Sequence, residues 1–477
     1  MLRAIVLVGF CLTMVAAALV LPAPVALAKV AKVAKVDTRR SVLNGRWNVV
    51  FDMPQGFYET PVEFAVGRNG QVTATVLGPL GTFRITDTAG RLDGSKLTLD
   101  AKTSWGKLKV SATLEGDRLR GKWSPAGFFA RLFFKGQMRG MRDRAHVSKP
   151  RLEVFDAVWA HIERDFYTPD FNGVEGQALR QRYRPQVAAA QSDGDFLSIM
   201  RRMLGEFRTS HLDFFATPSW SKELHPPAPP DAAANEATEG ITWRQLAPSI
   251  GYLRLESFED GPKVVARVDR AFAELGHHDA LVIDLRGNGG GTLSAAMRLG
   301  DYILPHTQPV GYFAGRNGLT RHRARSIDQL NASALPVFSG YNSEDFAREM
   351  ANTGALMLTT GGRAPRAYRG RVVVLIDEYC FSASEALASV VKETRVATLI
   401  GRRTPGAMLS AIAAPVAGGW TLLLPVWDFR TPQGVRVEGR GVEPDILVKD
   451  RGGKDADIAA ALKFLKTPAA AATAPGN

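Results

Sequence analysis

The spacing of hydrophobic and polar positions divides the chain into three folded regions. In residues 41 to 142, short runs of alternating polarity are separated by turn pairs. Asn69-Gly70 is a strong hairpin signal between two of these runs, because both turn positions favour positive φ. The alternation predicts an antiparallel β-sandwich or barrel. No constellation of catalytic residue types accompanies it.

Helical spacing begins just after this β-rich region. Ser148 can cap a first helix, and apolar residues such as Phe155 and Ile162 then share one face. We expect a helical subdomain over residues 148 to 222, with these apolar stripes in its core. A linker rich in proline and alanine follows at residues 226 to 238.

Strands alternate with helices in the third region, residues 239 to 466. Residues 280 to 285 and 371 to 376 are nearly continuous apolar runs rich in β-branched side chains, as buried strands are. Each run is followed by a turn and a helical pattern, which predicts an α/β core. The chain is therefore predicted to be an α+β multidomain protein, ending in a disordered tail at residues 467 to 477.

The first 28 residues have the pattern of a secretory signal peptide. Arg3 precedes an uncharged apolar stretch, and Ala26-Leu27-Ala28 has the small-x-small form of a cleavage site. A membrane anchor is the competing interpretation, but two prolines interrupt the segment and the apolar run is short for a bilayer. We expect its removal, a flexible basic spacer at residues 29 to 40, and no stable membrane insertion afterwards.

Composition narrows the classes of function. The chain is 45% hydrophobic and 22% charged, as globular proteins are, with 60 Lys and Arg against 47 Asp and Glu. Its basic clusters are not interleaved with the aromatic residues that nucleic-acid grooves use, so nucleic acid is not expected as a partner. Cys380 is the one cysteine left after signal removal, which excludes an internal disulfide and a zinc site built on paired cysteines. No metal or other cofactor is predicted.

A glycine-rich turn, Asp284 to Gly291, joins the first apolar run to a helix. A nucleotide-binding interpretation fails on spacing, because Thr292 stands where the dinucleotide pattern needs glycine or alanine, and no Lys-Ser or Lys-Thr pair completes a phosphate loop. The backbone N–H groups of such a turn can instead face an oxyanion. A tight turn without further function is the alternative.

The second strand-to-helix junction carries Ser382, a candidate nucleophile. Ser382-x-x-Glu385 also has the form of a capping box, in which the serine would only satisfy a backbone donor. A helix start can equally stabilise negative charge beside a nucleophile. Cys380 is a rival nucleophile, but we expect it to be a small buried side chain. A third segment contains His211, and a lone histidine is usually structural.

Taken in order, these segments resemble the tricorn and carboxyl-terminal processing protease family of serine peptidases over roughly residues 150 to 450. The matching segments are Asp284 to Gly291, Ser382 to Ala386, and Val437 to Asp445. The resemblance implies a catalytic core with the ββα-spiral fold of Clp-type proteases and crotonases, preceded by a helical subdomain.

The resemblance also implies a set of catalytic roles. Ser382 is the nucleophile, and the backbone N–H groups of Ala383 and of Gly289 or Gly290 form the oxyanion hole. These donors would hold the negative charge that develops on the attacked carbonyl oxygen.

The two branches of this family use different residues as the general base. The lysine of the processing proteases would fall at position 407, where this chain has Ala407. In the tricorn branch the base is a histidine preceded by serine and supported by a glutamate, and Ser210, His211 and Glu438 match these places. The resemblance thus implies His211 as the base, oriented by Ser210 and Glu438. Glu385, which assists the lysine in the other branch, is left with a capping role.

These residues predict an exported serine endopeptidase that acts on peptide or protein substrates in the bacterial periplasm or outside the cell. A PDZ domain is not expected, because only residues 212 to 249 separate His211 from the core, fewer than the roughly 80 to 100 that such a domain needs. Two alternatives stay open. The chain could be a non-catalytic binding protein on the same fold, like interphotoreceptor retinoid-binding protein. The β-rich region could also be a carbohydrate-, lipid- or protein-binding module that directs the protease.

Overall fold

The computed structural model describes most of the chain in nine stretches. They comprise residues 41–53, 56–79, 85–103, 106–125, 136–143, 149–217, 240–365, 367–449 and 455–467. The predicted signal peptide, basic spacer and linker lie outside these stretches, as do Ser148 and residues 468 to 477 of the predicted tail. No helix in the described part of the chain is long and apolar enough to span a membrane.

The first eight strands form a closed antiparallel barrel, which confirms the predicted β-rich region. They are β1 Gly45–Met53, β2 Gly56–Val66, β3 Gln71–Val76, β4 Ile85–Asp93, β5 Lys96–Thr103, β6 Gly106–Glu115, β7 Arg118–Pro125 and β8 Gly136–Arg142. The Asn69-Gly70 turn joins β2 to β3, as predicted. Gly70 has φ 70°, whereas Asn69 has no positive φ, so only one of the two turn positions adopts the expected conformation. Alternate side chains such as Trp47 and Phe64, whose rings meet edge to face, fill the interior.

Three helices follow the barrel: α1 Arg151–Asp165, α2 Gly176–Ala189 and α3 Asp193–Gly205. Phe155 and Ile162 lie on the buried face of α1, as the helical spacing predicts. Ser192 caps α3, since its hydroxyl accepts a hydrogen bond from the Asp195 N–H at 3.0 Å. This helical region packs against the barrel on one side and the α/β core on the other.

Polar contacts fix the barrel to both of its neighbours. The Glu63 carboxylate on β2 accepts hydrogen bonds from the N–H groups of Asp193 and Gly194, at 3.2 and 2.8 Å. A carboxylate at a helix start is favourable because the helix dipole is positive there. Arg46 on β1 donates to the Thr217 and Gly419 carbonyls at 3.1 and 3.2 Å. The barrel is therefore anchored to the helices and to the core.

The core contains two six-stranded sheets. The first has the strand order β10 Ile241–Ala247, β11 Ile250–Leu255, β12 Ala280–Asp284, β16 Arg371–Ile376, β17 Thr398–Gly401 and β20 Ile446–Leu447. The second has the order β14 Val337–Phe338, β15 Ala355–Thr360, β13 Gln308–Ala314, β19 Trp420–Arg430 and β18 Leu409–Val416, with β9 Asp213–Ala216 paired to β19.

Helices cover these sheets and lie between them. They are α4 Pro262–Leu275, α5 Leu293–Ile303, α6 Arg316–Arg321, α7 Ser343–Thr353, α8 Ala383–Thr394 and α9 Ala456–Lys466. Single 3₁₀ turns occur at Phe171–Gly173, Ile327–Gln329 and Ala332–Ala334. The predicted α+β architecture is thereby confirmed.

The two apolar runs of the sequence are neighbouring parallel strands. β12 pairs with β16 from Ala280 opposite Arg371 to Asp284 opposite Leu375. Parallel strands end at the same edge of a sheet, so the turns that lead into α5 and α8 lie side by side. This edge brings the glycine-rich turn next to Ser382.

Candidate active site

Ser382 stands at the start of α8 in a strained backbone conformation. Its φ is 54° and its ψ is −122°, an uncommon combination for a residue with a Cβ atom. Its N–H donates to the Ala407 carbonyl at 2.9 Å, while its hydroxyl forms no capping hydrogen bond. The capping interpretation of Ser382 is therefore wrong. The hydroxyl is left available at the wall of a cavity.

Glu385 does not cap α8 either, contrary to the sequence analysis. Its buried carboxylate accepts hydrogen bonds from the Thr404 hydroxyl and from the N–H groups of Gly406 and Ala407, each at 2.6 Å. Three donors from one loop compete successfully with the single N–H that a capping box offers. Glu385 thus holds the loop formed by residues 404 to 408, including the position that the lysine would occupy.

The protonation of Glu385 should make stability depend on pH. Burial raises the pKa of this carboxyl from 4.5 to about 7, so the folded state binds its proton more tightly than the unfolded state does. The resulting stabilisation is complete below pH 4.5 and is lost as the pH rises through 7. Between these limits, we expect the free energy of unfolding of the wild type to fall by about 3 kcal/mol more than that of Glu385→Gln. Urea unfolding of both proteins across this range measures the difference, and parallel pH profiles would contradict it.

Ser210, His211 and Glu438 form one hydrogen-bonded chain. The Ser210 hydroxyl donates to Glu438 Oε2 at 2.8 Å, and Ser210 Oγ lies 2.8 Å from His211 Nδ1. Glu438 also accepts the Ser210 N–H at 2.8 Å and the Met408 N–H at 2.7 Å. The structure thus brings together three of the predicted site residues.

These hydrogen bonds determine which nitrogen of His211 can act as a base. The single hydroxyl proton of Ser210 points to Glu438, so Nδ1 of His211 must donate to Ser210 Oγ. Nε2 then carries the free lone pair. Burial lowers the pKa of His211 to about 4, so the imidazole is neutral at neutral pH. It is therefore in the form that accepts a proton.

The glycine-rich turn packs directly against Ser382. Gly290 has φ 86°, and a Cβ atom on it would lie 2.7 Å from the Ser382 Cβ atom. Its N–H donates to the Asn288 side-chain oxygen at 2.8 Å and is therefore already bonded. Gly289 and Ala383 both line the cavity, and no acceptor is found for either N–H within the described residues. Gly290 thus allows the turn to pack closely against Ser382, while the N–H groups of Gly289 and Ala383 can donate hydrogen bonds to a ligand.

Asn288 and Ser384 tie the two turns together, and the sequence analysis assigned a role to neither. The buried Asn288 side chain donates to the Leu255 carbonyl at 3.1 Å and accepts the Ser384 hydroxyl at 2.8 Å. The Phe381 N–H donates to the Asn288 carbonyl at 3.1 Å. An asparagine inside a glycine turn is a signal for such a bridge, because its amide often bonds nearby backbone groups.

Cys380 is buried beneath this junction, as expected of a small apolar side chain. Its Sγ lies 3.0 Å from the Leu285 carbonyl, and burial raises the pKa of the thiol well above its usual value. The thiolate form that a nucleophile needs is thus disfavoured.

Ser382 and His211 lie on the wall of the same cavity, which has a volume of about 610 Å³. Gly289 and Ala383 also line it. The lining of one cavity therefore includes a hydroxyl, a neutral imidazole and two backbone N–H groups, which are the kinds of group that acyl transfer uses.

Comparisons with known proteins match the regions that form this site. Residues 249–448 match the model of peptidase family S41, and residues 148–205 match the tricorn protease C1 domain. The carboxyl-terminal-processing protease of Synechocystis sp. is 28% identical over 202 residues, which cover 42% of this chain and 38% of that protein. Carboxy-terminal processing protease CtpB of Bacillus subtilis is 25% identical over 206 residues, covering 42% of this chain and 34% of that protein.

A solved structure also resembles the chain. A putative peptidase from Parabacteroides merdae has a TM-score of 0.49 and 20% sequence identity, over 67% of this chain and 98% of that one. The chain spans less than two fifths of the length of the two curated relatives.

Proposed function

Because the chain belongs to peptidase family S41 and carries a tricorn protease C1 domain, we propose that it is a serine endopeptidase with Ser382 as nucleophile and His211 as general base. The observation that carries this proposal is the chain of hydrogen bonds from Glu438 through Ser210 to His211. It ends in the wall of the cavity that also contains Ser382.

The proposed acylation step uses the free lone pair of His211. Nε2 takes the Ser382 hydroxyl proton while Oγ attacks the substrate carbonyl carbon, and the resulting imidazolium then gives the proton to the leaving amine. The C–N bond breaks and an acyl ester remains on Ser382. Water activated by the same histidine hydrolyses this ester, which releases the acid product and regenerates the hydroxyl.

The oxyanion of the tetrahedral intermediate is proposed to bind between the N–H groups of Ala383 and Gly289. Of the predicted donors, these two have no competing internal acceptor among the described residues, whereas Gly290 donates to Asn288. Loss of one such donor typically costs about 3 kcal/mol of transition-state stabilisation. Glu385 supports the arrangement by holding the loop whose Ala407 carbonyl accepts the Ser382 N–H.

A fluorophosphonate probe tests the proposed nucleophile. Ser382 Oγ should displace fluoride from phosphorus with loss of the hydroxyl proton to His211, and peptide mapping should locate one adduct per chain at this residue. The protein should also cleave casein, and labelling should abolish the cleavage. An adduct elsewhere would contradict the assignment of Ser382. Unlabelled protein that binds apolar ligands without cleaving casein would favour the non-catalytic binding alternative.

Export remains part of this proposal. The predicted signal peptide supports a location in the periplasm or outside the cell. A reporter enzyme that is active only after export, fused behind residue 40, should be active in cells, and deletion of residues 2 to 28 should abolish that activity. Equal reporter activity with and without these residues would contradict the predicted signal.

A further inference from the structure

The cavity beside Ser382 is larger than the space around the reacting atoms. Its volume is about 610 Å³, within the range of sites that enclose whole small ligands. Beyond the catalytic residues it extends between α5, α7, α8 and the second sheet. Its walls there are apolar, and they include Met297, Phe313, Phe346, Leu387, Trp427 and Phe429.

Two hydroxyls of the lining, those of Thr360 and Ser343, are already bonded within the protein. The Thr360 hydroxyl lies 2.7 Å from both the Met297 carbonyl and Asp301 Oδ1. Ser343 Oγ accepts the Leu293 N–H at 3.5 Å. A charged group in this space would lose its water and gain no partner, which costs several kcal/mol.

The charged residues of the lining are exposed carboxylates. Asp260 and Glu344 line the cavity and are open to solvent. Among the described residues of the lining there is no lysine or arginine. A free carboxyl terminus would therefore meet two like charges and no cation, an unfavourable combination.

From these observations we propose that the cavity binds a bulky apolar side chain of the substrate, on the residue whose carbonyl Ser382 attacks, within an internal segment of a polypeptide. Ala383 and Gly289 line the same cavity as Ser382. When these N–H groups bind the carbonyl oxygen of a substrate residue, the side chain of that residue is attached to the neighbouring Cα atom. This side chain therefore lies next to the apolar part of the cavity. This inference rests on the proposed function and specifies its substrate class.

Peptides that differ at one position test the proposal. In a series with phenylalanine, alanine or aspartate at the attacked residue, kcat/KM should be at least about 100-fold higher for phenylalanine than for alanine, because each additional buried carbon adds binding energy in the transition state. Aspartate should be the poorest. Peptides with an amidated carboxyl terminus should be cleaved at least as well as those with a free terminus. Equal rates for phenylalanine and alanine, or a requirement for the free terminus, would overturn the inference.

Filling the cavity should change this preference without removing the chemistry. Ala296 on α5 and Ala347 on α7 line the cavity from different helices, so Ala296→Phe and Ala347→Phe each reduce its volume. Either variant should lower kcat/KM for the phenylalanine peptide at least about 10-fold while sparing the alanine peptide. Ala266→Phe, the same change at an exposed position of α4, is the matched control and should alter neither. An unchanged preference in both folded cavity variants would refute the assignment.

Binding to the Ser382→Ala protein separates this inference from the proposed function. Calorimetry with uncleaved peptides should show tighter binding of the phenylalanine peptide than of the alanine peptide even without catalysis. If the wild type cleaves no peptide but this difference in affinity is present, the proposed function fails and the cavity assignment stands. If the wild type cleaves peptides and the affinity is independent of the side chain, the cavity assignment fails while the proposed function stands.

Discussion

Replacement of Ser382 by alanine is expected to reduce kcat for peptide hydrolysis about a millionfold, which is the scale seen when a serine peptidase loses its nucleophile. The expectation follows from the Ser382 hydroxyl, which makes no capping hydrogen bond at the start of α8 and lines the same cavity as the neutral imidazole of His211. Removing Oγ leaves Ser384 as the hydroxyl at this helix start, and that hydroxyl is buried and already donates to Asn288 at 2.8 Å. Turnover of a phenylalanine-containing peptide measures the loss.

Ser389→Ala is the matched control for this variant. Ser389 lies further along α8, where its hydroxyl donates to the Ala386 carbonyl at 2.7 Å. The same substitution there should preserve turnover, and circular dichroism should show that both variants are folded. A Ser382→Ala protein that cleaves peptides at the wild-type rate would exclude Ser382 as the nucleophile.

Replacement of His211 by glutamine should cause a loss of similar size. Glutamine keeps the approximate length of the side chain but cannot take a proton from Ser382 near neutral pH. Because nucleophile and base act as one unit, the Ser382→Ala/His211→Gln double variant should be no slower than Ser382→Ala alone. The kcat values of the two single variants and the double variant measure this non-additivity.

A second histidine on the same cavity provides the control. His161 lines the cavity, and its Nδ1 contacts Arg164 at 2.9 Å. His161→Gln should keep the wild-type kcat because, within the described residues, this imidazole makes no hydrogen bond with Ser210 or Glu438. Loss of turnover in His161→Gln together with an active His211→Gln would reverse the assignment of the base.

Much of the fold could be predicted because it is encoded in local patterns. Alternation over residues 41 to 142 predicts strands, and the Asn69-Gly70 pair predicts its hairpin, since both depend on near neighbours in the sequence. The order of the core strands could not be predicted in this way. β12 pairs with β16 through residues about 90 positions apart, and no local period records that contact.

The candidate site shows where sequence patterns fail. Ser382-x-x-Glu385 has the form of a capping box, yet Glu385 turns to three donors on the loop at residues 404 to 408. That loop comes close only when β17 lies beside β16, so its competing donors are invisible in the sequence. Likewise, the N–H of Gly290 differs from that of Gly289 only through its hydrogen bond to the Asn288 side chain, which forms in the folded protein.

The contact between Ser210 and Glu438 has a consequence for biosynthesis. These residues are 228 positions apart, so the hydrogen bonds that orient His211 through Ser210 form only after the segment that carries Glu438 has been synthesised. Under the proposed function, an incomplete chain would lack this carboxylate, and its general base would be poorly oriented. The order of synthesis would thus delay full activity of the proposed site until the segment around residue 438 has folded.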